Sequence, residues 1–587
     1  MLNIFDIQQF LSNKKIDFLI ISNTNQFFSE YLPEKQQFIK HITGFTGSNA
    51  TVIFGKEKSY FFTDGRYLLQ AKYQISASLF SIIDITSQSV FTWLSNNTKS
   101  TQKIAFIDSL INIADWQKYN EINQNIVLVN RLDLDPLEYF WSNQDVSTAF
   151  LCSDEICGAS SFEKRQKITS AHPKKTFLLT NSENICWLLN LRGRDLLQTP
   201  IFFCLAILHP NNKITLFANI ENTKNLNLAK NFIELLPLYQ IENFFSNFHP
   251  VNNQIYTDFT TTNCYIYNTL LENNLFVYKQ SCPLTQQKAI KNLREITGAY
   301  QSTRLDAIAL VKFFYWLQYQ HKTKQFNTES KAQQHLEFLH RQSADFFYES
   351  FNTIAGYASN GAIIHYQCTP ASDLILNEGS VFLIDSGSQY LGNDFYGTTD
   401  ITRTIAIGKP SADMVLHYTL VLKGHLAVAR AKFPKGTKGY QLDSLARYYL
   451  WQFGLDYAHS TGHGVGSFLG VHEDGCGIGK NNQHILLPNM ILSNEPGVYL
   501  PDKYGIRLEN LLLVKEYNDN FLCFETLSLA PFDYNLVDSK MLTYPEKKWL
   551  KDYHQTVWQH TSPHLTKPEQ DFLLDCVNKF SFDLEIK

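Results

Sequence analysis

The sequence predicts a chain of mixed α/β class. Two α/β segments of similar size precede a longer α+β segment rich in strands. Three observations carry this. Helical and strand signals alternate up to about residue 135. They alternate again from Leu134-Asp-Pro136 to about residue 282. From Pro283 a long amphipathic stretch leads into Ser380–Val514, where strand patterns dominate. The length of 587 residues fits roughly three to four domains at ~150 residues each. The boundaries read as 1–135, 136–282 and 283–587.

In the first segment Ile4, Ile7 and Phe10-Leu11 recur at helical spacing, and Phe18-Leu-Ile-Ile21 reads as a buried strand. Ala50-Thr-Val-Ile-Phe54, a turn at Gly55-Lys-Glu-Lys58 and Tyr60-Phe-Phe62 read as a hairpin. Asp64-Gly65 punctuates, and Arg66–Ala71 looks helical. The second segment has a helix signal at Ser182–Leu189 and strand signals at Phe202–Leu208 and Lys213–Phe217. The two segments suggest a duplicated architecture, although no period is clear enough to define a repeat. In the third, Leu293–Leu317 reads as one long helix, with Leu293, Ile296, Tyr300, Ile308, Val311 and Tyr315 near one stripe. Thr543-Tyr-Pro-Glu546 and Thr566-Lys-Pro-Glu569 have capping-box spacing with proline in the first turn. Apolar positions after each box, Trp549, Leu550, Tyr553 and Val557, then Phe572, Leu573 and Cys576, predict two packed terminal helices.

Composition excludes several classes. Hydrophobic residues make up 44% and charged residues 18%, so the chain is globular and not disordered. Lys+Arg is 51 and Asp+Glu is 55, a net charge of −4. That balance argues against a nucleic-acid or anionic-membrane partner, which calls for a basic excess. No secretory signal and no apolar run of about 18 residues is visible, so no membrane span is expected. Ten cysteines are scattered without CxxC or zinc-ribbon spacing. Reduced, mostly buried thiols in a cytoplasmic protein are the expectation.

The chemistry concentrates between His365 and Glu509. Val381-Phe-Leu-Ile-Asp385 is an apolar strand ending in a carboxylate. A lone carboxylate is costly to bury, so Asp385 is expected at the surface, paired, or on a cation. Thr399–Ile407 alternates, with Asp400, Thr402 and Thr404 on one face and Ile401, Arg403, Ile405 and Ile407 on the other. Gly387–Gly397 between them looks turn-like, and a hairpin would bring Asp385 and Asp400 together. The pattern recurs: Met490-Ile-Leu-Ser-Asn-Glu495 ends in a carboxylate, and Gly505–Val514 follows with Arg507 and Glu509 on one face. A second hairpin would pair Glu495 with Glu509. Between the hairpins lie His459 and His463, four apart, and His472, nine further on.

Four strand-embedded carboxylates and a histidine make an oxygen-rich site for two divalent ions. Carboxylates suit Mn²⁺, and one imidazole also admits Zn²⁺, Co²⁺ or Fe²⁺. Two ions about 3.5–4 Å apart can share a water, lower its pKa and clamp an in-line attack. A glutamate beside that water can act as base. HExxH, GxxxxGK[ST] and GxSxG are absent.

Asp385-Ser-Gly, Gly397-Thr-Thr-Asp-Ile-Thr-Arg403, Gly462-His-Gly-Val-Gly466, Asn494-Glu-Pro-Gly497 and Gly505-Ile-Arg-Leu-Glu509 resemble the pita-bread metallopeptidases of family M24. Within them the chain is most similar to the long, three-domain Xaa-Pro aminopeptidases. Ser29–Glu34, Gly44–Ser48, Thr63–Tyr67, Trp187–Gly193, Ala289–Asn292, Leu422–His425 and Trp549–His554 extend the resemblance over almost the whole chain. It implies two creatinase-like α/β domains and a pita-bread catalytic domain with a curved antiparallel sheet and a C-terminal helical extension. It also implies release of an N-terminal residue that precedes proline. The alternatives are a prolidase, or a non-catalytic peptide-binding or scaffold protein on the same fold.

By the same resemblance Asp385 would bind one ion, Asp400 and Glu509 would bridge both, and His463 and Glu495 would bind the second. Glu495 would also be the general base. His365, in Ile363-Ile-His-Tyr366, would steady the transition state. His459 and His472 would orient substrate near the proline ring, and Arg507 would hold a metal-binding carboxylate. The implied ion is Mn²⁺, with Zn²⁺ or Co²⁺ as alternatives, and the implied assembly is a homodimer. One departure stands out. The family pattern separates the two aspartates by eleven residues, whereas here 400 − 385 = 15. The four extra residues are expected in a loop at the rim of an intact site, with Asp394 among them as a turn residue.

Overall fold

The computed structural model describes residues 3–122, 125–130, 147–221 and 223–582. The expected boundary at 134–136 lies outside them. The chain divides into two compact units, Met1–Leu284 and Thr285–Lys587.

The first unit contains two six-stranded sheets. In the first sheet Phe18–Ser22 is central. It runs antiparallel to Thr51–Gly55, which pairs antiparallel with Ser59–Thr63, which pairs parallel with Phe80–Asp84. On its other side Ile104–Ile107 and then Ile126–Val129 add in parallel. The second sheet repeats every step. Phe177–Leu179 is central, Leu205–Leu208, Ile214–Phe217 and Ile233–Leu236 continue antiparallel, antiparallel and parallel, and Gln254–Thr257 and Phe276–Lys279 add in parallel. The duplication is thus written in topology and chain order. It leaves no sequence period because a sheet core requires only apolar residues at alternating positions, whatever their identity.

The helix Ile4–Asn13 forms as its spacing predicts, burying Ile4, Ile7 and Leu11. The helix expected from Arg66 begins later, at Leu68–Gln74. The apolar run from Phe202 is strand only from Leu205, because its first residues are buried without ladder pairing.

In the second unit a helix of 30 residues, Leu293–Lys322, starts at a capping box of Asn292 and Glu295. Its buried face keeps Ile296 and Val311 of the expected stripe but not all of it. Leu293 is 80% exposed and Tyr300 37%, while Thr303, Ala307, Leu310 and Phe314 are buried. Small residues take the close contacts, and an apolar stripe cannot show that. The Ser380–Val514 run is interrupted by two helices, Ala412–Ala429 and Gly439–Trp451, which the strand-rich reading passed over. The strands form antiparallel sheets. One is three-stranded, with Ser380–Ser386 between Ile354–Tyr357 and Ile401–Ile407. The other has six strands and includes Gly462–Gly464, Ile491–Asn494 and Asn510–Glu516. Tyr544–Thr561 and Lys567–Lys579 form on their two capping boxes and pack together, burying Leu550, Tyr553, Val557 and Leu573.

Candidate active site

Asp385 lies near the end of its strand, directly opposite Thr402, and Asp400 immediately precedes the partner strand. The connection is more than a turn. Ser388–Leu391 and Tyr396–Thr398 pair as a hairpin of their own and add to Phe346–Glu349. This hairpin turns at Gly392–Phe395, and Asp394 is exposed there as expected.

The second pair of carboxylates is placed by a break in pairing. Asn494 lies opposite Asn510, and Gly497 lies opposite Arg507 in a separate hairpin. Glu495 and Glu509 occupy the gap between these ladders. Their backbone N–H groups turn elsewhere. That of Glu495 donates to the Thr461 carbonyl at 2.7 Å, and that of Glu509 to the Thr402 carbonyl at 3.1 Å. The last bond joins the two strand systems and carries Glu509 beside the Asp385–Thr402 pair.

One ligand atom each from Asp400, His463 and Glu509 lies within 4.8 Å of the others. The His463 Nε2 is 3.4 Å from both Asp400 Oδ2 and Glu495 Oε1. Its Nδ1–H donates to the Gly464 carbonyl at 3.0 Å, which leaves the Nε2 lone pair facing the carboxylates. Arg507 Nη2 donates to Asp385 Oδ2 at 2.6 Å. Thr402 Oγ1 donates to Glu509 Oε2 at 2.8 Å. The remaining oxygens, Asp385 Oδ1 and Glu509 Oε1, are buried without a hydrogen-bond partner. A buried acceptor left without a partner costs about 1–3 kcal/mol, and more if charged. Two such oxygens beside an imidazole lone pair fit divalent cations. A second group, Glu329, Cys368 and Asp373, is as close together. Its carboxylate oxygens, however, all accept hydrogen bonds, so it does not need an ion.

Charge crowding agrees. Burial raises the Asp385 carboxyl to about 6, against the pull of Arg507 and with Asp400 adding to the rise. Burial raises Glu495 to about 7, opposed by His463 and Arg507. Glu509 is pushed well above the carboxylate range by burial and by Asp400, Glu495 and Asp385. Burial opposes charge on His463, but Asp400 and Glu495 outweigh it and lift the imidazole to about 9. A divalent cation among these groups would favour the deprotonated form of each.

The other histidines surround this cluster. His459 Nδ1–H donates to the Ser460 carbonyl at 2.7 Å, so its Nε2 accepts from the Tyr499 hydroxyl at 2.9 Å. That hydroxyl in turn accepts from Arg507 Nη1 at 2.8 Å. His459 Nδ1 is 3.8 Å from Glu495 Oε2. The ring of His472 packs edge-on against that of His463, with centroids 4.4 Å apart. His365 is half-buried and follows Ile364, whose carbonyl accepts from Arg507 Nη1 at 3.4 Å. The structure therefore brings Asp385, Asp400, His459, His463, His472, Glu495, Arg507 and Glu509 together, with His365 beside them. Sequence reasoning missed Tyr499, and it placed Thr402 on the face of Asp400 without giving it a part in the site. The one available signal for Tyr499 was its alternation with Val498, which follows from its register opposite Gly505.

Comparison with known proteins covers the chain end to end. Residues 299–516 match the model of metallopeptidase family M24, and residues 520–580 match its C-terminal region. Residues 4–133 and 143–295 match two models of the creatinase/prolidase N-terminal domain. A probable Xaa-Pro aminopeptidase P of Coprinopsis cinerea is 34% identical over 95% of this chain and 94% of its own. Xaa-Pro aminopeptidase 1 of Dictyostelium discoideum is 31% identical over 96% and 93%. Among solved structures, the X-prolyl aminopeptidase of Caenorhabditis elegans, described as a cytosolic enzyme with a di-nuclear active site, superposes with a TM-score of 0.88. It is 29% identical, covering 96% of this chain and 95% of that one.

Proposed function

The chain belongs to metallopeptidase family M24, and from that premise we propose that it removes the N-terminal residue from peptides whose second residue is proline. The observation that carries this is the cluster of Asp400, His463 and Glu509, with Glu495 3.4 Å from His463 and with Asp385 Oδ1 and Glu509 Oε1 buried and unpartnered, in a chain similar throughout to Xaa-Pro aminopeptidases. Asp385 would hold one divalent ion, Asp400 and Glu509 both, and His463 and Glu495 the second. We assign manganese to the pair, with zinc or cobalt as substitutes. When bound, the ions polarise the scissile carbonyl and lower the pKa of water. Glu495 would accept the proton of that water. Arg507 fixes Asp385 and, through Tyr499, the tautomer of His459. His365, His459 and His472 contact the substrate around the scissile bond and the proline ring. Proline makes the scissile bond a tertiary amide without an N–H, and this chemistry requires none.

Domains at 1–135, 136–282 and 283–587 are supported by the two repeated sheets, the unit boundary after Leu284 and the matched models. A cytoplasmic location is supported by the free state of all ten cysteines and by the relative described as cytosolic. No helix among the described residues is long and apolar enough to cross a membrane. A homodimer is supported by one exposed helix face, argued below.

The test is to load the purified protein with Mn²⁺ and incubate it with Arg-Pro-Pro. Free arginine is expected, and no release under conditions where a relative is active would overturn the assignment. A prolidase shares the metal set. It would cleave Arg-Pro faster than Arg-Pro-Pro, whereas the reverse order is expected here. A non-catalytic binding protein would carry no metal and would release no arginine.

A further inference from the structure

His365 lies in the connection between the strands Ile354–Tyr357 and Ser380–Ser386. Such a connection needs anchors if it is to hold a catalytic side chain steady. One anchor is the Ile364 carbonyl on Arg507. The 3₁₀ turn Ala358–Ala362 adds contact with the strand that carries Arg507. A Cβ on Gly505 would stand 1.7 Å from the Gly361 carbonyl oxygen.

The other anchor is Glu329, the first residue of the helix Glu329–His340. Its side chain is fully buried, at 0% exposure. Its Oε1 accepts the Tyr357 N–H at 2.6 Å and Asn360 Nδ2 at 3.1 Å. Its Oε2 accepts the Tyr366 hydroxyl at 2.9 Å and the Leu374 N–H at 3.0 Å. Asn360 Nδ2 also donates to the Ser372 carbonyl at 2.8 Å. One carboxylate therefore ties down the start, middle and end of the connection, at 357, 360, 366 and 374. The residues on either side of His365 are both fixed, Ile364 to the arginine of the metal site and Tyr366 to Glu329.

We propose that Glu329 is a positioning residue for the peptidase reaction, acting through His365. This rests on the function assigned above. It explains why a buried carboxylate with only neutral donors among its described contacts binds both ends of the connection that carries His365. Every one of those donors presents hydrogen, so a carboxamide cannot replace the carboxylate: its own N–H₂ would face a backbone N–H.

The test compares Glu329→Gln, Tyr366→Phe, His365→Ala and the double variant Glu329→Gln/His365→Ala in the full chain. Glu329→Gln is expected to lower kcat on Arg-Pro-Pro by about 10–100-fold, with KM within about threefold and metal content unchanged. In the His365→Ala background the same substitution should lower kcat by less than about twofold, because coupled residues are not additive. Tyr366→Phe, which removes one donor, should lower kcat by about threefold and serves if Glu329→Gln does not fold. An unchanged kcat in both single variants, or an equal loss with and without His365, overturns the proposal. A second measurement does not depend on peptidase activity. Amide exchange over residues 358–376 should rise by at least about tenfold in the folded variant, while that of Ser380–Ser386 stays the same. If wild-type protein releases no arginine, the functional assignment fails. Unchanged exchange over 358–376 in Glu329→Gln or Tyr366→Phe then removes the anchor as well.

Discussion

Asp400 and Glu495 are the side chains on which the His463 imidazole converges, at 3.4 Å from each. Asp400→Asn removes a ligand charge, and Glu495→Gln removes a ligand charge and the base. Each is expected to lower kcat by at least ~10²–10⁴-fold without unfolding the chain. Loss of the folded state in calorimetry, or wild-type turnover in a folded variant, would contradict the assignments. The same crowding predicts a pH-dependent metal effect. Carboxyls with ordinary values of 3.8 and 4.5 are raised to about 6 and 7 in Asp385 and Glu495. Between those values the folded, metal-free protein binds more protons than the unfolded chain, so its stability falls as pH rises through the window. His463, raised to about 9, adds stability below about 6.5 that is lost as pH rises towards 9. Metal binding requires all three deprotonated and removes the crowding. The rise in Tm on adding Mn²⁺ to chelator-treated protein should therefore grow from about pH 5 to about pH 8. A constant or shrinking increment would show that these groups are not the ligands. At this scale the candidate cluster was legible because carboxylates on apolar strands are anomalous, while the part of each member came from the family resemblance. The parts of Tyr499, Thr402 and Glu329 were not legible, because each is an ordinary strand or helix-start residue until register shows what faces it.

The hairpins show how an element can be legible in its pairing and illegible in its connection. Asp385 and Asp400 were expected together, and the Ser380–Ser386 and Ile401–Ile407 ladder brings them together. The run between them looked like a turn because Gly387, Gly392 and Gly397 punctuate it. Those glycines are there for close approach. A Cβ on Gly387 would meet the Thr399 carbonyl oxygen at 2.1 Å, and one on Gly397 the Ser302 hydroxyl at 2.3 Å. The expected pairing of Glu495 with Glu509 likewise splits into two ladders, a break marked in the sequence only by Pro496, which cannot donate. Gly505 gives the sharpest test. Its neighbour at 1.7 Å is the Gly361 backbone, which cannot rotate away as a flexible side chain could. Gly505→Ala should cost about 1–3 kcal/mol of stability and lower kcat, since it separates the strand of Arg507 from the connection carrying His365. Calorimetry and steady-state kinetics on one preparation check both. A variant as stable and active as wild type would mean that this contact does not hold the site.

All nine residues assigned to the chemistry lie in the second unit, Thr285–Lys587, so the duplicated sheets of the first unit serve another purpose. Substrate-size selection and dimerisation are the two candidates, and the exposed surface separates them. The helix Gly439–Trp451 buries Leu442, Ala446 and Leu450. Its opposite face and the residue beyond it expose Tyr440, Leu445, Tyr448, Trp451 and Phe453, at 41, 38, 54, 45 and 52%. With the exposed Gln441 and Ser444 among them, these apolar residues form a candidate interaction face, for which a second copy is a self-complementary partner. Arg447 of this helix donates to the His459 carbonyl at 2.7 Å, so the face is backed by a residue of the site. We therefore propose self-association through the second unit, and length selection as the role of the first. Trp451→Glu in the full chain should shift the sedimenting species from dimer to monomer, a loss of the size seen for hot-spot aromatic residues. A variant beginning at Pro283 should keep its metal and its dimeric state. It should lose discrimination between Arg-Pro-Pro and longer Xaa-Pro peptides, measured as the ratio of their kcat/KM values. A monomeric truncation would return dimerisation to the first unit, and an unchanged ratio would leave the two repeated sheets without a part in choosing substrate.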